Sequence, residues 1–116
     1  MNAENFNRIT KTAQSIVEML VERNYTELEQ LSGGVRLSAQ AIERAVSQYG
    51  RTLCRLPAER WRYLDVVEIT GVVPARFSVR VDLWTVEEGR SDLSLELTLI
   101  DYGKHLAVEI DDLHVL

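Results

Sequence analysis

Cys54, His105 and His114 are the only thiol and imidazole groups in the chain, so they bound its nucleophilic and metal chemistry. A thiolate beside an imidazole is a nucleophile with its base, but the residues around Cys54 carry none of the local signatures of catalytic cysteines. Cys54 reads instead as a packed thiol in a reducing compartment. His105 and His114 stand nine residues apart, a spacing unlike that of a zinc site. Glu109, Asp111 and Asp112 offer oxygen to a hard cation, yet they lack the Asp/Asn-rich loop, turn glycine and terminal glutamate of a calcium hand. No Gly-Lys-Ser/Thr follows Gly33-Gly34, which therefore marks a helix stop and not a phosphate loop. Any two acids on a sheet can serve as an acid/base pair, and nothing in the sequence selects one. The residues assign no catalytic group, no metal ligand and no cofactor.

The carboxylates matter more by their distribution. Residues 1–62 carry nine Lys/Arg against seven Asp/Glu, whereas residues 63–116 carry four against eleven. The net charge of −5 thus falls on the C-terminal half, which makes that half a candidate surface for a basic partner. Nucleic acid is disfavoured, because acidic surface repels phosphate and Arg51, Arg55, Arg60 and Arg62 form only a small basic cluster.

These side chains need a scaffold, and 116 residues suffice for one domain spanning 1–116. The periodicity predicts that 1–62 is mainly helical and 63–116 mainly antiparallel strands. Phe6, Ile9, Ala13, Ile16, Val17 and Leu20 recur at helical spacing, giving an amphipathic helix over about residues 4–23. A short helix starts at Asn24, with Glu27 in capping-box spacing and Tyr25, Leu28 and Leu31 inward. Ser38 is the expected N-cap of a third helix, with a Leu37–Ile42 staple, an inner face of Ile42, Ala45, Val46 and Tyr49, and Gly50 as its stop. Pro57 starts a further short turn. The first residues contain no secretory signal, and no apolar run approaches the roughly 18 residues of a membrane span, so the expected setting is cytoplasmic and away from membranes.

After Trp61 the apolar period changes from helical to alternating. Strands are expected over residues 64–70, 77–83, 93–99 and 106–110, with turns at Glu87–Ser91 and Asp101–Lys104. Apolar parity slips between Ile110 and Leu113, which predicts a β-bulge near Asp111-Asp112. Matching faces pairs Leu83 with Leu93 and Leu99 with Leu106. The polar face then carries the rows Arg80–Glu96–Glu109 and Asp82–Ser94–Asp111, with Trp84 beyond them. Arg80, Asp82, Trp84, Glu96, Glu109 and Asp111 are accordingly the candidate partner-binding residues. Glu96 opposite Glu109 carries a like-charge penalty that solvent, Arg80 or a partner's cation relieves.

Two resemblances add to this reading. The order of helix, short helix, helix and long strands, with Asn24-Tyr25-Thr26-Glu27-Leu28 leading to Arg36-Leu37-Ser38-Ala39, resembles the cystatin-like or nuclear-transport-factor-two-like α+β roll. Asp82-Leu83-Trp84-Thr85-Val86-Glu87-Glu88-Gly89-Arg90-Ser91-Asp92-Leu93 and Glu109-Ile110-Asp111-Asp112-Leu113-His114-Val115-Leu116 are similar to a family of small uncharacterised bacterial proteins. The second resemblance spans nearly the whole chain, and proteins of this size and acidity include immunity proteins that neutralise toxins. The roll also hosts isomerases and dehydratases with Asp and His in a pocket, where this sequence has mainly Val and Leu. The expectation is an α+β fold, N-terminal helices on a curved antiparallel sheet of about four strands. Its expected function is non-enzymatic capture of a basic protein such as a toxin nuclease domain. A small-molecule-binding or catalytic roll and a homodimerisation module are the alternatives.

Overall fold

The computed structural model describes residues 1–116, and its helices start where the capping residues stand. Helix α1 spans Ala3–Val21, α2 Tyr25–Ser32 and α3 Ala39–Tyr49. Asn2 accepts the Asn5 amide at 2.8 Å and Ser38 accepts the Ala41 amide at 3.1 Å, satisfying donors that a helix start leaves bare. At the end of α3, Gly50 takes a left-handed φ of 73°, which only glycine adopts freely. The capping box expected at Asn24 does not form. Its ψ of 61° is not the extended conformation from which a cap reaches forward, and its side chain donates to Glu22 instead. Leu31 is also exposed and not inward, because the buried line of α2 runs through Leu28 and Ser32, four residues apart. Ser32 donates its hydroxyl to the Leu28 carbonyl at 2.9 Å, so its burial leaves no donor unpaired.

The sheet has five antiparallel strands, one more than the alternation predicts. They are β1 (Leu53–Cys54), β2 (Asp65–Ile69), β3 (Arg76–Thr85), β4 (Gly89–Asp101) and β5 (Leu106–Val115). With two residues, β1 is too short to show a period. A 3-10 helix at Ala58–Tyr63 follows Pro57, as the proline suggests. Strands β3, β4 and β5 form a meander, while β1 and β2 share the far edge of β3. The helices cover one face of this sheet. Ile9, Ala13, Ile16, Val17 and Leu20 from α1, with Leu28 and Ile42, meet Phe77, Val79, Val81, Leu83, Leu93, Leu95, Leu97 and Leu99 in a single core.

Facing apolar residues set the β3–β4 register as expected, with Val79 opposite Leu97, Arg80 opposite Glu96 and Val81 opposite Leu95. The expected Leu83–Leu93 pair is displaced by an irregularity between Asp82 and Trp84, beyond which Trp84 pairs with Arg90. The turn is correspondingly earlier, at Val86–Glu88, and Gly89–Ser91 belong to β4. Ser91 repairs the irregularity: its Oγ donates to the Leu83 carbonyl at 2.7 Å and accepts the Leu93 amide at 3.2 Å.

The β4–β5 register differs by two residues from the expectation. Leu99 faces Val108 and Leu97 faces Ile110, because β4 continues through Ile100 to Asp101, which pairs with Leu106. A shift of two leaves every side chain on its own face, so alternation cannot detect it. The bulge falls where parity slips: Leu97 pairs with Ile110 and Glu96 with Asp112, leaving Asp111 as the additional residue.

Candidate functional site

Side chains that point away from the helices form the outer face of the sheet. Across β2, β3, β4 and β5 its central row is Asp65–Arg80–Glu96–Asp112, replacing the expected Arg80–Glu96–Glu109. The next row is Asp82–Ser94–His114, replacing Asp82–Ser94–Asp111. Glu109 lies one row away, opposite Thr98. The six sequence-selected residues therefore share a region, but their partners differ from those the sequence suggests.

Much of the charge is matched internally. Arg80 lies 3.5 Å from Asp65, on the β2 side, although Glu96 faces it across the ladder. Asp111 accepts the Thr98 hydroxyl at 2.6 Å and pairs with Arg36 of the α2–α3 loop at 3.0 Å. Glu96 lies 2.8 Å from His114 Nε2, and Asp112 lies 3.8 Å from the same nitrogen. The like-charge neighbour of Glu96 is thus Asp112 and not Glu109, with an imidazole beside both. Asp82 and Glu109 have no ion-pair partner within 4.0 Å. Trp84 is half-buried at the end of β3, where the Arg60 guanidinium sits 5.4 Å from its ring, so it borders the acidic rows and is not a free aromatic.

Other acids of the C-terminal half serve as clasps outside this face. Glu87 accepts both the amide and the hydroxyl of Thr52 at 2.9 Å, and these bonds hold its carboxyl below the usual range. Asp101 takes two bonds from Arg8 at 3.1 Å and the Gly103 amide at 2.8 Å, and is held low by the same contacts. Glu88 accepts the Tyr49 hydroxyl at 2.8 Å; burial first, then this bond, pushes the phenol up. Asymmetry of composition therefore overstates the free acidity of the surface.

Asp65, Asp112 and His114 are the residues of this face that alternation alone does not place among the partner-binding candidates. The parity slip at Asp111-Asp112 was a usable signal, because a bulge puts two consecutive side chains on one side and carries His114 onto the outer face with Asp112. Cys54 is half-buried and unpaired, opposite Trp84 in the β1–β3 ladder. His105 stacks on Tyr102 in the exposed β4–β5 turn, with ring centroids 5.4 Å apart. No hydrogen bond joins Cys54 to His105 or to His114, whose Nε2 faces Glu96 instead.

Fold and surface together define an α+β domain with helices on one sheet face and an uncovered acidic face on the other. The chain belongs to the family described as Domain of unknown function (DUF7668), whose model matches residues 17–116. No curated protein and no solved structure matches the chain. No helix is long and apolar enough to cross a membrane.

Proposed function

We propose that this chain is a non-enzymatic binding protein whose outer sheet face captures a basic protein domain, in the manner of an immunity protein masking a bacterial toxin nuclease. The observation that carries the reading is the unmatched charge of Asp82 and Glu109 on a face that no helix covers. Such charges stand in for nucleic-acid phosphate: they steer a basic surface into contact and then occupy its binding groove. Trp84 and Arg60 at the margin supply residue types that dominate binding hot spots. A cytoplasmic setting agrees with the free thiol of Cys54.

The apolar make-up of the buried cluster supports binding over catalysis. The buried cluster between helices and sheet consists of aliphatic and aromatic side chains, and neither histidine belongs to it. A homodimer through the outer face is disfavoured, since it opposes two acidic surfaces. The test is capture of partners from the native host by the wild-type chain and by the Asp82→Lys, Glu109→Lys double variant. The wild type should retain a basic polypeptide, and the variant should associate with it at least about tenfold more slowly at low salt. That difference should shrink near 1 M salt, where the screening length falls to about 3 Å. Equal association rates at low salt overturn the sheet-face mechanism.

A further inference from the structure

We infer that Glu96, Asp112 and His114 form a binding site for a first-row divalent transition metal, with zinc as the best-fitting ion. The inference needs no partner protein and stands whether or not the outer face captures one. One potential ligand atom from each residue lies within 4.8 Å of the other two. His114 Nε2 is 2.8 Å from Glu96 and 3.8 Å from Asp112. Zinc ligands at about 2.0–2.2 Å from the metal stand roughly 3.3 Å from one another in a tetrahedron, so these partly exposed side chains reach it by small rotations.

The backbone explains why the three converge. Glu96 and Asp112 are direct cross-strand partners, and the bulge at Asp111 brings His114, two residues further along β5, onto the same outer face. Both carboxylates lack an Arg or Lys within 4.0 Å, since Arg80 pairs with Asp65 and Arg36 with Asp111. Two facing carboxylates destabilise a strand pair, and a dication on the shared side removes that penalty.

Ser94 supplies a second, independent observation. It faces His114 across the ladder and precedes Glu96 by two residues, so it stands on the same side of the sheet. Its relative exposure is 0 %, and its Oγ has no hydrogen-bond partner. A buried hydroxyl left unpaired is expensive, and a water carried by a metal at this site is a partner for it.

The donor set selects the metal class. One imidazole with two carboxylates suits zinc and its neighbours, whereas calcium takes six to eight oxygens and magnesium rarely recruits imidazole. Three protein ligands leave a coordination position open to water. Zinc binding also displaces any proton from Nε2, because the ligand nitrogen must be free.

Calorimetric titration of the chelator-stripped chain with zinc chloride tests the site. One zinc per chain is expected, with affinity falling at least tenfold in Glu96→Gln, Asp112→Asn and His114→Ala, and unchanged in His105→Ala. On the wild-type chain, histidine ring resonances give a readout that does not depend on variants folding: zinc must shift His114 at lower concentration than His105. Absence of saturable binding, equal affinity in the three ligand variants, or a response at His105 first overturns the assignment.

Discussion

Leu95 and Ser94 are consecutive, both essentially inaccessible to solvent, and buried on opposite sides of the same strand. Leu95 points into the core among Val81 and Leu113, its neighbours across β3 and β5. Ser94 points the other way, between Asp82 and His114, where the surroundings are ionisable and its hydroxyl is unpaired. Equal burial thus carries opposite consequences. On the inner face it removes apolar surface from water and stabilises the fold, whereas on the outer face it withholds a polar group from solvent and costs free energy. The helices organise the first face, and the second carries the ionisable side chains.

The largest effect expected from this contrast is at Leu95. Truncation to Ala removes a fully buried side chain from a close-packed layer and should cost about 2–5 kcal/mol of unfolding free energy, read from urea transitions at constant slope. A cost below about 1 kcal/mol shows that the core can collapse around the gap, and the inner face is then looser than its burial indicates.

The core was legible from the sequence because alternation and helical spacing both report burial: Ile9, Ile16, Leu95 and Leu97 follow directly from their positions in those patterns. Capping was legible at Ser38, where a serine precedes a periodic run, and illegible at Asn24, where the tight α1–α2 connection fixes a backbone that cannot cap. The outer face was only half legible. Face membership survives a two-residue register shift, so Glu96, Glu109 and Asp111 were assigned the right side. Neighbour identity does not survive it, so the Glu96–Asp112–His114 grouping, which needs both the continuation of β4 to Asp101 and the bulge at Asp111, leaves no trace in alternation. Ion pairs between distant segments, such as Arg36 with Asp111, leave no periodic trace at all.

A smaller effect separates the apolar layer from the charged rim that clasps it. Arg8 of α1 grips Asp101 at the end of β4, and Thr52 binds Glu87 in the β3–β4 turn. Both carboxyls sit below their ordinary values of 3.8 and 4.5 in the folded chain, so folding binds fewer protons than unfolding there. Their contribution is fully present above the unfolded values and disappears as pH falls through the lowered folded ones. Asp101→Asn and Glu87→Gln should therefore lose stability at pH 7 and approach the wild type as pH falls below the lowered folded values, flattening the acid limb. A difference that persists unchanged in acid assigns these residues a packing role.

The smallest and most discriminating expectation concerns Ser94→Ala. If the hydroxyl is unpaired in metal-free protein, its removal deletes a desolvated polar group and leaves little void, so stability should be unchanged or rise by up to about 1 kcal/mol. Leu95→Ala beside it falls by several times that amount in the opposite direction. The measurement is a pair of urea transitions on chelator-stripped protein, with zinc then added to each. In zinc the wild type should gain on Ser94→Ala, since only the serine can bond to metal-held water. A loss above about 1 kcal/mol without metal would mean that the hydroxyl already has a partner. The two faces of β4 would then be satisfied by their own neighbours, and the contrast between Ser94 and Leu95 would reduce to one of side-chain size.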